Sequence, residues 1–169
     1  RQMCIRDRQS SKPETAELVR RGFSNDVFAE SAAALSQRGI PVVAHIIIGL
    51  PGENLTDVLN TVDFVNSLPI QGVKLQLLHV LSDCDMADLY LSGSYSPLSK
   101  EEYISAVGSC IARLRPDIVI HRLTGDGSRD TLLAPRWSLN KRDVLNSLHR
   151  YLRDNRITQG MDFCLGFNS

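Results

Sequence analysis

Between Val42 and Ile48 the chain is apolar at every position except His45, and the run ends in the turn Gly49-Leu50-Pro51-Gly52. Apolar and polar positions do not alternate there, as in a parallel strand with helices on one face and a packed interior on the other. From Asn54 to Ser67 the apolar residues Leu55, Val58, Leu59, Val62 and Val65 recur at helical spacing, and Val73–Val80 reads as the next strand. Strand, helix and strand in so short a stretch form a βαβ unit with parallel strands. Upstream, Pro13–Val19 predicts a short helix. Ser24 or Asn25 caps a second helix running to Arg38, with Phe28, Ala32 and Leu35 on one stripe and Gly39 as its stop. Downstream, a short helix begins within Asp83–Asp88 and is ended by Gly93. Ser99 and Glu102 have the spacing of a capping box, opening a helix striped by Ile104, Val107, Ile111 and Leu114 and stopped by Pro116. Asp117–Leu123 predicts a third strand. A helix from about Leu139 to Asp154 closes the chain and buries Val144, Leu145, Leu148 and Leu152. The class is α/β.

Such proteins place their ligands at the carboxyl ends of the strands. His45, Ile47 and Gly49 share parity and point to one face. A histidine inside a buried strand needs a partner, so His45 is either satisfied by the protein or contacts a ligand. In the following strand Lys74 and Gln76 alternate with Val73, Leu75, Leu77 and His79. With the apolar set turned to the helices, Lys74 and Gln76 line the interior, where a lysine implies an anion, water or a carboxylate. The other reading makes it an edge residue in solvent. Gly49 and Gly52 permit a sharp turn and close approach, so the Gly49–Glu53 turn is a second candidate, for a nucleotide or phosphate.

Composition narrows these options only slightly. The 169 residues fit one domain, and the 19 basic and 19 acidic residues cancel, giving no global signature for nucleic acid. The balance is uneven: residues 113–169 hold 10 basic and 6 acidic residues, leaving 9 and 13 for residues 1–112. This carboxyl-terminal excess is compatible with an anionic substrate or RNA without indicating either. No apolar run is long enough for a membrane span. Cysteines 4, 84, 110 and 164 have neither metal-ligand spacing nor the density of a disulfide framework, and the chain reads as cytoplasmic with reduced thiols.

Seven segments, taken in order, resemble the radical S-adenosylmethionine (radical SAM) enzymes. They are Gln9-Ser10-Ser11; Arg20-Arg21-Gly22-Phe23, where that family tends to carry Asn-Arg-Gly-His; AHIIIGLPGE at 44–53; GVKLQLLHVL at 72–81; LSKEEY at 98–103; IHRLTGDGSRD at 120–130; and APRWSLNKRDVLNSL at 134–148. The likeness is to the YhcC-like branch, related to the elongator-type and coproporphyrinogen-oxidase-like enzymes.

The resemblance implies an incomplete TIM-like barrel of parallel strands with outer helices, followed by a small carboxyl-terminal α/β extension. Residues 9–95 would form the carboxyl-terminal half of the barrel, 96–160 the extension and 161–169 a tail. Residues 1–8, charged and without periodicity, match no family segment and read as a non-native leader. The implied chemistry is reductive cleavage of S-adenosylmethionine at a 4Fe-4S cluster to give a 5′-deoxyadenosyl radical, with the substrate unknown. The family's Cys-x-x-x-Cys-x-x-Cys loop and Gly-Gly-Glu segment are absent from the sequence, so no metal ligands are expected here and the chain should not be catalytic alone. By resemblance, the cofactor wall comprises Gln9 and Arg21 for the ribose and carboxylate, His45 for a single hydrogen bond, and Ile47 and Gly49 flanking the adenine. Leu78, His79 and Val80 would meet the adenine edge through backbone groups. Lys74, Gln76, Arg122, Thr124 and Asp126 are the substrate-side candidates, with a structural ion pair as the other reading of Arg122 and Asp126. Asp130, Trp137 and Lys141 fit the pattern without an implied role, and Phe23 departs from it. A barrel entered partway leaves the Val42–Ile48 strand without a neighbour, and self-association follows as the expectation.

Overall fold

The computed structural model describes residues 4–12, 14–15, 24–125 and 127–163. Its elements in chain order are β1 (Cys4–Gln9), α1 (Asn25–Gln37), β2 (Val42–Ile48), α2 (Leu55–Asn66), β3 (Gly72–Leu77), β4 (Val80–Leu81), α3 (Met86–Leu91), α4 (Lys100–Arg113), β5 (Val119–Arg122), β6 (Leu132–Ala134), a 3-10 turn over Arg136–Leu139, and α5 (Lys141–Asp154). A parallel sheet runs in the order β1-β2-β3-β5, and β4 pairs antiparallel with β6 in a second, two-stranded sheet.

The helices cover one face of the parallel sheet. Val42, Ala44, Ile46 and Ile48 of β2 join Val73, Leu75 and Leu77 of β3 in one core with Phe28 and Ala32 of α1, Val58, Val62 and Val65 of α2, and Val107 and Ile111 of α4. None of these is more than 5% exposed. Each large aliphatic side chain buried this way contributes about 1.5–3 kcal/mol. A one-residue slip of either strand would turn its whole set outward, so this packing fixes the register and leaves Val43, His45 and Ile47 on the opposite, inner face.

The predicted caps form: Ser24 accepts from the N–H of Val27 at the start of α1, and Ser99 and Glu102 make a reciprocal capping box on α4. Asn54 and Asp57 make a further such box on α2, which was not predicted. Gly39 and Gly93 follow α1 and α3 with positive φ, the stop conformation that glycine favours.

Two predicted features are corrected. Residues 4–8 lie within a strand: Cys4 pairs with Val42 and Asp7 with His45, so β2 has neighbours on both sides. Main-chain groups make that pairing, and the charged side chains carry no periodic trace of it. The single strand expected over 73–80 is two. β3 ends at Leu77, and Val80 turns to pair with Ala134 of β6, a three-residue strand too short to register as a pattern. The helix expected over Pro13–Val19 falls mostly outside the described residues.

Two arginines tie the helical layer together. Arg113 of α4 donates twice to Asp63 of α2, each bond 2.8 Å. Arg115 donates to the carbonyls of Asn66, Leu68 and Ile70 where α2 gives way to β3, and to Asp117 before β5. Asn66 completes the joint, donating to Arg113 O and accepting from the N–H of Arg115. Near the carboxyl end, Trp137 packs on Tyr103 with ring centroids 5.7 Å apart and donates to Leu98 O, while Tyr103 donates its hydroxyl to Leu123 O. Val144 and Leu148 of α5 are buried as predicted, with Leu152 packed at the core's margin.

Candidate functional site

The inner face carries the polar residues that the sequence placed there. Parallel register sets His45 beside Lys74 and Ile47 beside Gln76 on adjacent strands, and an irregularity after Val73 brings Arg122 of β5 level with Lys74. His45, Ile47, Lys74 and Gln76 are all half-buried. Gln76 donates to Thr124 O at 3.3 Å, closing the gap between the ends of β3 and β5. Five of the predicted residues therefore share one surface: His45 and Ile47 on the cofactor side, Lys74, Gln76 and Arg122 on the substrate side, with Thr124 at its rim.

The remaining predicted residues are placed differently. Gly49 has φ +92°, and a side chain there would meet Leu98 at 3.2 Å. Its carbonyl accepts the Tyr95 hydroxyl at 2.6 Å, and burial pushes the Tyr95 phenol up to about 12. The close approach that this glycine permits is thus made by the chain's own Tyr95–Leu98 segment. The N–H of Leu78 donates to Ile48 O, extending the β2–β3 ladder by one bond. Val80 is fully buried in β4.

His79 packs against the chain between Gly125 and Ser138. Its Nε2 lies 3.1 Å from Ser138 Oγ, which donates to Pro135 O, so Nε2 carries the proton and Ser138 accepts it. A Cβ on Gly125 would sit 2.5 Å from the imidazole Cε1. Burial, and then the nearby Lys141 charge, hold the His79 pKa below its ordinary value. Arg21 and Asp126 lie outside the described residues, as does the side chain of Gln9; only its backbone, at the end of β1, is described.

Two participants had no predicted role. His121 of β5 lies over Gly72, where a Cβ would fall 2.5 Å from its Nε2, which puts the imidazole on the inner face two residues before Lys74. The signal in the sequence was the glycine opening β3, although a strand-initial glycine has many uses. Tyr95 was the other, in a loop with no periodicity to mark it.

The Gly49–Glu53 turn has a different character. Glu53 is half-buried and accepts from the Ser10 hydroxyl, and desolvation raises its pKa despite hydrogen bonds from Ser10 and Thr15. Lys12 donates to Gly52 O at 3.0 Å and to Asp57 at 3.3 Å. Beside the turn a cavity of about 500 Å³ opens between α2 and α4, lined by Ile48, Leu55, Val58 and Leu98, with Glu53, Glu101 and Glu102 at its polar edge. This hollow is apolar and acidic, and it lies on the helical side of the sheet. Of the cysteines, Cys110 is buried with its thiol pushed up to about 12, and Cys84 donates to Leu81 O; both are free thiols. Among the described residues no cluster of His, Cys, Asp and Glu has the arrangement of a metal site, and no helix is long and apolar enough to cross a membrane.

Comparison with known proteins agrees with this architecture. The Radical_SAM C-terminal domain matches residues 70–154. Protein YtqA of Bacillus subtilis is 34% identical over 155 residues, which cover 92% of this chain and 48% of that protein. Protein YhcC of Escherichia coli is 30% identical over 149 residues, 88% of this chain and 48% of that protein. The chain thus spans about half the length of these curated relatives. Among solved structures, the archaeal Methanocaldococcus infernus Elp3 with its N-terminus deleted superposes with a TM-score of 0.80 over 94% of this chain and 37% of that one, at 15% identity. At that identity the match speaks to the fold alone, a parallel sheet covered by outer helices. The chain belongs to the radical SAM family, as a YhcC-like carboxyl-terminal region.

Proposed function

We propose that this chain supplies the carboxyl-terminal wall of a radical SAM active site, with the adenosyl group lying against the inner face near Ile47. The observation that carries this reading is the placement of His45 and Ile47 on the face opposite the helices, beside Lys74 and Gln76 and near the carboxyl ends of the strands. Full-length radical SAM proteins use S-adenosylmethionine with a 4Fe-4S cluster, and the pair supplies a 5′-deoxyadenosyl radical for hydrogen abstraction. The residues here fit the organic half of that pair. Ile47 offers an aliphatic wall for a purine, His45 an imidazole on the same face, and Gln76 a carboxamide held in place by Thr124 O. Cluster ligands are lacking in the sequence, so this chain binds and orients while the cysteine loop of a full-length protein does the electron chemistry. By itself it releases no 5′-deoxyadenosine from S-adenosylmethionine.

The alternative, a nucleotide or phosphate at the Gly49–Glu53 turn, is disfavoured by charge. A phosphate there would approach Glu53 and Asp57, and the reciprocal Asn54–Asp57 cap already occupies amides at the start of α2.

The test is ligand-observed NMR of the 169-residue chain with 5′-methylthioadenosine, which carries the adenosyl group alone. Saturation transfer to the adenine protons, lost in Ile47→Asp and kept in Gly52→Ala, supports the reading. Transfer that is absent at millimolar ligand, or that ignores Ile47→Asp, contradicts it.

A further inference from the structure

We propose that the exposed face of α5 is a docking surface for double-helical RNA, held through its phosphates. The surface belongs to the helical layer, so it stands independently of the adenosyl reading of the inner face.

α5 buries Val144 and Leu148 in the core, and the Lys100–Asp143 pair, 2.9 Å long, ties its first turn to α4. The side turned away carries Arg142, Asn146, His149, Arg150 and Arg153 at i, i+4, i+7, i+8 and i+11, a single helical stripe. All five are exposed, as is Arg156 just past the helix end. Arg142, His149, Arg150 and Arg156 make no side-chain hydrogen bond or ion pair among the described residues. Arg153 reaches only its exposed neighbour Asp154. The two acids of the helix are thus already paired, Asp143 with Lys100 and Asp154 with Arg153.

Two of these cations occupy places that helix chemistry disfavours. Arg142 lies in the first turn, at the positive end of the helix dipole. Arg156 has φ +55°, the one positive φ outside glycine among the described residues. At the matching position α1 and α3 stop on Gly39 and Gly93, which adopt that conformation without strain. A cation is favourable anywhere in a last turn, so the dipole does not require an arginine in the left-handed position. Between Arg142 and Arg153 the stripe is about 16 Å long, and Arg156 extends it.

The chemistry of this surface selects its partner. None of the stripe residues is apolar, whereas a protein interface has an apolar centre, and none offers a ring on which unpaired bases stack as they do in single-strand sites, the imidazole of His149 excepted. The apolar side of α5 is committed to the core, so it cannot enter a bilayer. Packed along α4, the helix does not protrude into the deep major groove of B-form DNA. The minor groove of an RNA helix is wide and shallow, so side chains of a surface helix reach its phosphates without insertion. Guanidinium forks suit those phosphates, and the Asn146 carboxamide, donor and acceptor at once, suits a 2′-hydroxyl between them.

The experiment is fluorescence anisotropy of a labelled, loop-free RNA duplex of about 20 base pairs, titrated with the 169-residue chain over a range of salt. One phosphate contact from each of Arg142, Arg150, Arg153 and Arg156 predicts saturable binding with a slope of about −3.5 in log K against log salt, about a tenfold loss per doubling of salt. The double variant Arg142→Gln, Arg150→Gln should about halve the slope and weaken binding tenfold or more, while Arg38→Gln at the end of α1 leaves both unchanged. Arg156→Gly should lower the slope by about 1 with Tm equal or higher, a combination that a merely structural arginine would not give. Failure to saturate at about 100 µM chain in low salt, a slope near zero, or equal losses from the α1 and α5 variants overturns the proposal. A DNA duplex of the same sequence that binds as tightly refutes the assignment to RNA. Phosphatidylserine vesicles or polyglutamate that displace the duplex at equal charge refute it in favour of a membrane or an acidic protein.

Discussion

The joint around Arg115 gives the most quantitative prediction. Its guanidinium, with the side chain 22% exposed, donates to the carbonyls of Asn66, Leu68 and Ile70 and to Asp117. The three carbonyls belong to the end of α2 and the connection into β3, and Arg115 itself begins the connection into β5. One side chain therefore holds β5, with His121 and Arg122, against β3. Replacing it by Met keeps the aliphatic stem and removes every donor. A hydrogen bond from a charged group contributes about 1.5–3 kcal/mol, and a neutral acceptor left without a donor costs about 1–3 kcal/mol. The Asp117 pair adds little, because that carboxylate is 67% exposed and screened by solvent. Some carbonyls will recover water, so the sum is below three full bonds, and about 2–4 kcal/mol is expected for Arg115→Met. In a protein of this size about 2–4 °C of Tm accompanies each kcal/mol, so Tm should fall by about 5–15 °C in thermal unfolding followed by circular dichroism. The control is Arg153→Met, whose bond to Asp154 is 3.3 Å long between side chains 74% and 58% exposed; it should leave Tm within about 1 °C. A drop below 2 °C for Arg115→Met, or equal drops for the two variants, refutes the reasoning.

Two further outcomes follow from the same geometry. Burial raises the Glu53 pKa, so the folded state holds that proton more tightly than the unfolded chain and its charged form is penalised at neutral pH. Glu53→Gln, which keeps an acceptor for Ser10, should raise Tm at pH 7, and the gain should vanish as pH falls below the ordinary carboxyl value near 4.5; a gain that is constant with pH, or a loss at pH 7, contradicts this. The outer edges of β1 and β5 are not paired among the described residues, and Val119 of β5 is 58% exposed. We therefore propose concentration-dependent self-association of the chain, read by light scattering across a tenfold dilution series; a monomer at every concentration argues against it.

How far the sequence revealed this fold varies with the physics of each element. Helix stripes such as Val58-Val62-Val65 and Ile104-Val107-Ile111 were legible because burial imposes a period on side chains, and the Ser99–Glu102 capping box because its pairing is local. The inner face was legible for a similar reason: once the apolar set of β3 is assigned to the helices, parity forces Lys74 and Gln76 to the other side. What escaped depended on main-chain pairing or distant contact. The strand Cys4–Gln9 carries charged residues, β6 has three residues, and the capture of His79 by Ser138 joins positions 59 apart. Gly49 illustrates the limit well. Its need for positive φ and close approach was readable, but the neighbour that approaches, the Tyr95–Leu98 segment, was not.

The central claim is that the inner face of the sheet was shaped to receive an adenosyl group against Ile47. Saturation-transfer NMR of the chain with 5′-methylthioadenosine addresses it most directly. Strong transfer to the adenine protons that disappears in Ile47→Asp, with Tm unchanged, is the predicted result. Transfer undiminished by that substitution, or none at all from a folded chain, would contradict the account.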